Sequence, residues 1–317
     1  MRFEIIGNGA IGTLYGAKLI QAGYAVHFWT RSIEQAEFLR TEGITLVDRA
    51  GKSRTETQGT YRSLKEFALH PLDFSSTDEI YILLTVKQTQ LDNELLAQIK
   101  LLLQQYENCT LVAFQNGIGH IERLAELSNK PIITAVISEA ALKVQSNEVH
   151  HTGAGLTNLG DQLGRDSDKI HQKILEEVLF QAGFKTLVSK NIREAIYRKL
   201  IANAVINPLT ALFGVKNGKL SSDSTRLQLM KQLFEETRTI LAFDELEISN
   251  VSFDQVLHIC EATSSNTSSM LSDVLAHRVT EILAINGAIV KIASKHGYEA
   301  GLNMAIVQLI LALHPEK

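Results

Sequence analysis

The six residues GNGAIG, beginning at Gly7, lie directly after the strand-like run FEII and directly before a helical pattern, and they constrain the fold more than any other part of the chain. Glycines spaced G-x-G-x-x-G at a strand-to-helix junction meet three needs: a tight turn at Gly7, a bare backbone at Gly9 that a pyrophosphate can approach, and close helix packing at Gly12. The helix that follows turns its unpaired N–H groups and the positive end of its dipole toward the anion. A second strand pattern, YAVHFWT, comes after that helix, so the order is βαβ, the opening of a Rossmann domain. The expectation is a bound nicotinamide dinucleotide, with Gly7, Asn8, Gly9, Ala10, Ile11 and Gly12 forming the turn beneath its phosphates.

The end of that second strand bears on which dinucleotide. An NAD enzyme places Asp or Glu there, roughly twenty residues beyond the glycines, to hold the ribose 2′-hydroxyl. This chain has Trp29, Thr30, Arg31 and Ser32 instead. A carboxylate would repel a 2′-phosphate, whereas the guanidinium of Arg31 pairs with one, with the hydroxyls of Thr30 and Ser32 beside it. NADP is therefore expected over NAD, and Glu34 is expected to face solvent in the next helix.

Further strand patterns follow at ITLVD, IYILLTV, TLVAF and IITAVI, with helical patterns at 90–105 and 118–128. The IYILLTV run is apolar nearly throughout, as a strand covered on both faces of a parallel sheet must be. From about Asn191 the strand-like runs give way to long helical patterns at 192–213, 223–243, 253–262, 269–296 and 302–313. The expected fold is α/β: an N-terminal Rossmann dinucleotide-binding domain over residues 1–188 and a C-terminal all-helical domain over 189–317. The formal charge of −4 is not concentrated into basic runs, which argues against nucleic acid as a partner. No apolar stretch approaches the roughly 18 residues of a membrane span. Cys109 and Cys260 lie far apart, without metal-ligand spacing, and His150 and His151 have no third ligand in register, so neither a metal nor a disulfide framework is expected. These features together give the expectation of a cytoplasmic protein with no membrane partner.

In RKLIANAVINPLTALFG, Lys199, Asn203 and Asn207 recur every four residues and share one helical face, while Leu200, Ile201, Ala204 and Val205 cover the others. Such a face is either a polar stripe turned to a ligand or a solvated surface ending at an Asn-Pro step. A second constellation runs from Asn266 through Thr267, Ser268 and Ser269 into a helical pattern bearing Asp273, Arg278 and Glu281. One of the serines can simply cap the helix, and Arg278 and Glu281 can simply pair at its surface.

Taken in order, GNGAIG, LTVKQTQ from Leu84, FQNGIG from Phe114, KLIANAVINPLTAL from Lys199 and NTSSMLSDVLAHRVTEILAING from Asn266 resemble the ketopantoate reductase (2-dehydropantoate 2-reductase) family over nearly the whole chain. The resemblance implies a Rossmann domain, a helical domain and an active site in the cleft between them. It also implies NADPH-dependent reduction of a small 2-oxoacid, 2-dehydropantoate, to (R)-pantoate on the route to pantothenate and coenzyme A.

By that resemblance Lys199 is the proton donor to the ketone oxygen and Glu281 the acid that orders it. Asn203, Asn207 and Ser269 hold the substrate, joined by Asn266 and by Asn217, which is equally well read as a turn asparagine before Gly218. Asn116 stands where cofactor and substrate meet, Lys87 and Gln90 lie on the cofactor side, and Arg31 contacts the 2′-phosphate. Two departures bear on the substrate: Leu283 stands where the family often has an aspartate, and AVINPL lacks the usual methionine. A reductase of another 2-oxoacid and a non-catalytic NADP-binding regulator remain the alternatives, and the apolar faces of the helices suit either a monomer or a homodimer.

Overall fold

The computed structural model describes residues 1–69, 79–164, 169–243 and 251–313. The chain separates into two compact units: residues 1–115 with 120–192, and residues 116–119 with 193–317.

The first unit begins with β1 (Arg2–Ile6), α1 (Ala10–Gln21), β2 (Ala25–Thr30), α2 (Ile33–Glu42), β3 (Ile44–Val47), β4 (Ser53–Glu56), β5 (Thr60–Ser63) and α3 (Leu64–Leu69). It continues with β6 (Ile80–Leu84), α4 (Asn93–Gln105), β7 (Cys109–Ala113), α5 (His120–Ala125), β8 (Ile132–Ile137), β9 (Ala140–Lys143), β10 (Glu148–Gly153), β11 (Thr157–Gly160), α6 (Lys169–Gln181) and β12 (Thr186–Val188).

Eight strands form one sheet in the order β12-β11-β8-β7-β6-β1-β2-β5. It is parallel from β5 to β8, and β11 runs antiparallel to β8. The central strands β6 and β7 are buried at every residue, as their largely apolar sequences require. The Rossmann order thus appears where the βαβ pattern places it.

The ITLVD strand does not join this sheet. As β3 it belongs to a second, four-stranded sheet in the order β4-β3-β10-β9. This small sheet lies against α1, which also packs on β1 and β2. Covered on both sides, α1 buries every residue from Gly12 to Ala17, together with Leu19 and Ile20. Gly16 makes this possible, because a Cβ there would stand 2.1 Å from Phe28 Cζ.

The second unit holds α7 (Ile192–Phe213), α8 (Gly218–Ser221), α9 (Ser224–Ala242), α10 (Phe253–Ala262), α11 (Ser269–Leu275), α12 (Asn286–Lys295) and α13 (Gly301–Ala312). The helical pattern at 269–296 is broken. α11 stops at Leu275, His277 takes a left-handed φ of 51°, and helix resumes only at Asn286. Periodicity alone could not reveal this, since the apolar spacing runs on through Ile282 and Ile285, both buried. No helix among the described residues is long and apolar enough to cross a membrane, and Cys109 and Cys260 are buried free thiols.

Candidate active site

The glycine turn is built tightly. Gly7 has φ 110°, and a Cβ on it would lie 2.8 Å from Val86 Cγ1. A Cβ on Gly12 would come 2.1 Å from the Gly7 carbonyl oxygen, so helix and turn touch there. Gly9 differs, for a Cβ there would meet nothing within 4 Å. The backbone at Gly9 is therefore open to a ligand, which is the fit that a dinucleotide pyrophosphate requires. Thr85 Oγ1 donates to the Gly7 carbonyl at 2.8 Å, and Thr13 Oγ1 donates to Asn8 Oδ1 at 2.8 Å, so the turn is held on both sides.

Lys143, at the end of β9, donates from Nζ to the Asn8 carbonyl and to Thr13 Oγ1. Burial pushes its ammonium down to about 8. The small sheet thus brings a cation to the phosphate-binding turn from more than a hundred residues away. No local pattern marks Lys143, and sequence reasoning missed it.

At the end of β2, Arg31 is exposed and lines a cavity of about 500 Å³ with Ser32, Gln35, Phe38, Lys65 and Ser146. Lys65 supplies a second positive charge that sequence reasoning also missed, because β5 reaches the side of β2 only through sheet pairing. The two hydroxyls expected beside Arg31 have other duties. Thr30 Oγ1 donates to the Ser32 carbonyl at 2.8 Å, and Ser32 Oγ caps α2 by accepting from Gln35 N–H at 3.3 Å. Glu34 stands exposed in the first turn of α2 and lines the same cavity. Beyond β6, Lys87 and Gln90 bracket a short 3₁₀ turn in which Gln90 Oε1 accepts the backbone N–H of Lys87 at 3.1 Å.

Asn116 follows Gln115, whose buried amide donates to the carbonyls of Leu84 and Val86 at 2.9 and 3.0 Å and ties the β7 end to the β6 end. Left-handed glycines at 117 and 119 turn the chain sharply behind it. Asn116 Nδ2 donates to Glu281 Oε2 at 3.1 Å, joining residues 165 apart in sequence.

Glu281 is only 5% exposed and sits in the turn between α11 and α12, not on a helix. It consequently does not pair with Arg278, whose guanidinium instead meets the buried Asp273 carboxylate at 3.1 Å. The broken helix releases Glu281 from the surface face that continuous periodicity would have given it. Its negative charge acts on Lys199. Burial pushes the Lys199 ammonium down to about 8, and Glu281 opposes that fall.

Lys199, Asn203 and Asn207 lie along α7, with Asn207 buried and the other two partly so. Ser268, rather than Ser269, caps α11. Its Oγ accepts the Leu271 N–H at 3.0 Å and meets Thr210 Oγ1 at 2.7 Å, which fixes the start of α11 beside α7. Ser269 is left exposed as the first residue of the helix. Asn217 and Asn266 come together, with the Asn217 N–H donating to the Asn266 carbonyl at 3.1 Å and Asn217 Nδ2 to Thr263 Oγ1 at 2.9 Å. Among the described residues no group of three His, Cys, Asp or Glu could hold a metal ion. His150 instead pairs with Glu148 on the same strand at 2.6 Å, and His151 with Glu139, just before β9, at 2.7 Å.

The family model described as ketopantoate reductase PanE/ApbA matches residues 3–164, and the model of its C-terminal part matches residues 191–314. A 2-dehydropantoate 2-reductase of Vibrio cholerae is 30% identical, over 99% of this chain and 98% of its own. One of Bacillus subtilis is 31% identical, over 95% and 93%. Among solved structures, a probable 2-dehydropantoate 2-reductase from Bacillus subtilis superposes with a TM-score of 0.79 at 29% identity, covering 99% of this chain and 100% of that one. A D-mandelate dehydrogenase with NADH and anilino(oxo)acetate shares the fold, with a TM-score of 0.86 at 24% identity over 99% and 98% of the two chains.

Proposed function

The chain belongs to the ketopantoate reductase PanE/ApbA family, and from that membership we propose that it is an NADPH-dependent 2-dehydropantoate 2-reductase whose chemistry centres on Lys199 and Glu281. The observation that carries the assignment of roles is the Lys199 ammonium, caught between burial and the Glu281 carboxylate that also accepts from Asn116. Bound NADPH supplies the hydride that reduces the C2 ketone of the 2-oxoacid. As negative charge grows on the ketone oxygen, the Lys199 ammonium stabilises it and delivers a proton. A donor titrating at about 8 is still mostly charged at neutral pH yet gives up its proton readily, which suits a general acid. Glu281 keeps that ammonium charged and holds the Asn116 amide in place.

Asn203, Asn207 and Ser269 supply donors for the substrate carboxylate and hydroxyl, joined by Asn116, Asn266 and Asn217. On the cofactor side, residues 7–12 receive the pyrophosphate, with Lys87 and Gln90 following β6, and the Arg31 and Lys65 cations suit a 2′-phosphate. The first unit is read as NADP-binding and the second as substrate-binding and catalytic, the roles expected for residues 1–188 and 189–317, with 116–119 joining the second unit.

We also place the enzyme in the cytoplasm, where the buried thiols of Cys109 and Cys260 stay reduced. A homodimer is supported by the exposed Met304 and Leu311, seven residues apart and so on one face of α13, and is tested by light scattering after size exclusion.

A matrix of NADPH and NADH against a panel of 2-oxoacids tests the assignment. NADPH with 2-dehydropantoate is expected to give the highest kcat/KM. No turnover at millimolar 2-dehydropantoate removes the substrate, and a Lys199→Ala variant with full kcat removes the mechanism. A second reading, reduction of a different 2-oxoacid, is favoured by Leu283, which stands 57% exposed where the family often carries an aspartate. The same panel reveals it by the order of kcat/KM.

A further inference from the structure

α7 contains a proline in its interior. Pro208 has no N–H, so the carbonyl four residues earlier, that of Ala204, loses its helical partner. That carbonyl is not left bare. Asn286 Nδ2, fully buried at the first residue of α12, donates to the Ala204 oxygen at 3.0 Å and to Asn303 Oδ1 at 3.0 Å. Asn303 is also fully buried and is itself fixed. Its backbone N–H and its amide donate to Glu236 Oε1 at 2.7 and 2.9 Å, while the Leu302 N–H takes Glu236 Oε2 at 3.0 Å.

A relay therefore runs from Glu236 on α9, through Asn303 on α13 and Asn286 on α12, to the gap in α7. The gap falls within the stretch that bears the polar face. Ala204 and Pro208 each directly follow an asparagine of that face, Asn203 and Asn207, while Lys199 lies one turn farther toward the N-terminus. Successive helical residues turn by about 100°, so the relay grips α7 on a side away from the polar face and leaves that face clear.

A buried amide with both protons committed, meeting an orphaned carbonyl, is an expensive arrangement if the only need is a stable helix. An alanine at 208 would close the gap by itself. We propose that Asn286 is a positioning residue: by replacing the hydrogen bond that Pro208 cannot make, and by anchoring it to Asn303 and Glu236, it sets the direction of the Asn207 segment relative to the Lys199 segment, and hence where the 2-oxoacid carboxylate sits relative to the proton donor. The proposal rests on the reading of α7 as the substrate helix given above.

The test compares Asn286→Ala, Pro208→Ala and the double variant by KM and kcat for the 2-oxoacid, by Kd for NADPH and by Tm. Asn286→Ala is expected to raise KM about tenfold to a hundredfold with a smaller fall in kcat, because misplaced binding groups cost that much. NADPH affinity should stay unchanged. Pro208→Ala restores the helical bond, so Tm should hold or rise while KM still rises. In the double variant Tm should recover and KM should not.

A folded Asn286→Ala protein with wild-type KM and kcat, or a double variant that recovers both Tm and KM, overturns the proposal and leaves the relay as scaffolding. Should Asn286→Ala fail to fold, Pro208→Ala alone decides by its KM. If the wild-type protein reduces no 2-oxoacid, the functional reading falls separately. The positioning is then judged from crystal structures of the wild-type and Pro208→Ala proteins, where an unchanged angle between the two segments of α7 overturns it and a changed angle supports it.

Discussion

Replacing Glu281 by glutamine separates its charge from its shape. The amide oxygen of glutamine can still accept from Asn116, which Glu281 does at 3.1 Å, so that contact survives and only the negative charge is removed. Burial already draws Lys199 down to about 8 against the pull of Glu281. A nearby opposite charge typically sustains a cation by roughly one to three pH units. Its loss should therefore move the alkaline limb of the kcat profile at least about one pH unit toward acid.

The sign follows from the role, because Lys199 must be protonated to act and activity falls as pH rises through its titration. A donor titrating at about 8 is about nine-tenths protonated at pH 7. A limb moved by one unit leaves about half of it protonated, and a limb moved by two leaves about a tenth, so kcat at pH 7 should fall by roughly twofold to tenfold while kcat at pH 6 changes less. The assay is the rate of NADPH oxidation at saturating 2-oxoacid from pH 5.5 to 9.5, with Glu281→Ala alongside. Glu281→Ala also releases Asn116 and should lose activity at every pH. A Glu281→Gln profile whose alkaline limb stays where the wild type has it would refute the electrostatic link between the two residues.

Three further outcomes follow from geometry. Gly9→Ala should keep the wild-type Tm, since its Cβ meets nothing within 4 Å, yet weaken NADPH about tenfold to a hundredfold, whereas Gly12→Ala, with a Cβ 2.1 Å from the Gly7 oxygen, should lower both Tm and affinity. Isothermal titration beside thermal melts checks both, and a Gly9→Ala protein with unchanged affinity contradicts the open-backbone reading. Arg31→Ala and Lys65→Ala, which both alter the 500 Å³ cavity, should each raise KM for NADPH about tenfold or more and leave NADH nearly unaffected; equal losses with both cofactors would count against a 2′-phosphate site. Burial drives His120 from 6.5 down to about 4, so between those values the unfolded chain binds the proton that the folded chain refuses, and stability is lost as pH falls through that window. His120→Gln should shrink the drop in Tm between pH 7 and pH 4, and an unaltered drop would assign the acid sensitivity elsewhere.

What the sequence determined by itself is what depends on neighbours along the chain. The glycine turn, the βαβ order and the change to helices near Asn191 are legible because turn chemistry and periodicity act within a few residues. The Lys199, Asn203 and Asn207 face is legible for the same reason, since one helix sets their common side. Tertiary structure decided the rest. β3 pairs locally with β4, but its other partner, β10, lies about a hundred residues away, so nothing local records that the two hairpins make one small sheet. α11 ends at Leu275, His277 is left-handed and Glu281 is buried in the turn beyond, none of which periodicity records. Lys65 and Lys143 reach the dinucleotide turn region through sheet pairing, and Asn286 reaches the gap left by Pro208 through helix packing. The chain lists the chemical groups in order, but which of them meet is set by burial of apolar faces and by the need of every buried polar group for a partner, and both conditions are satisfied only when the whole unit is folded.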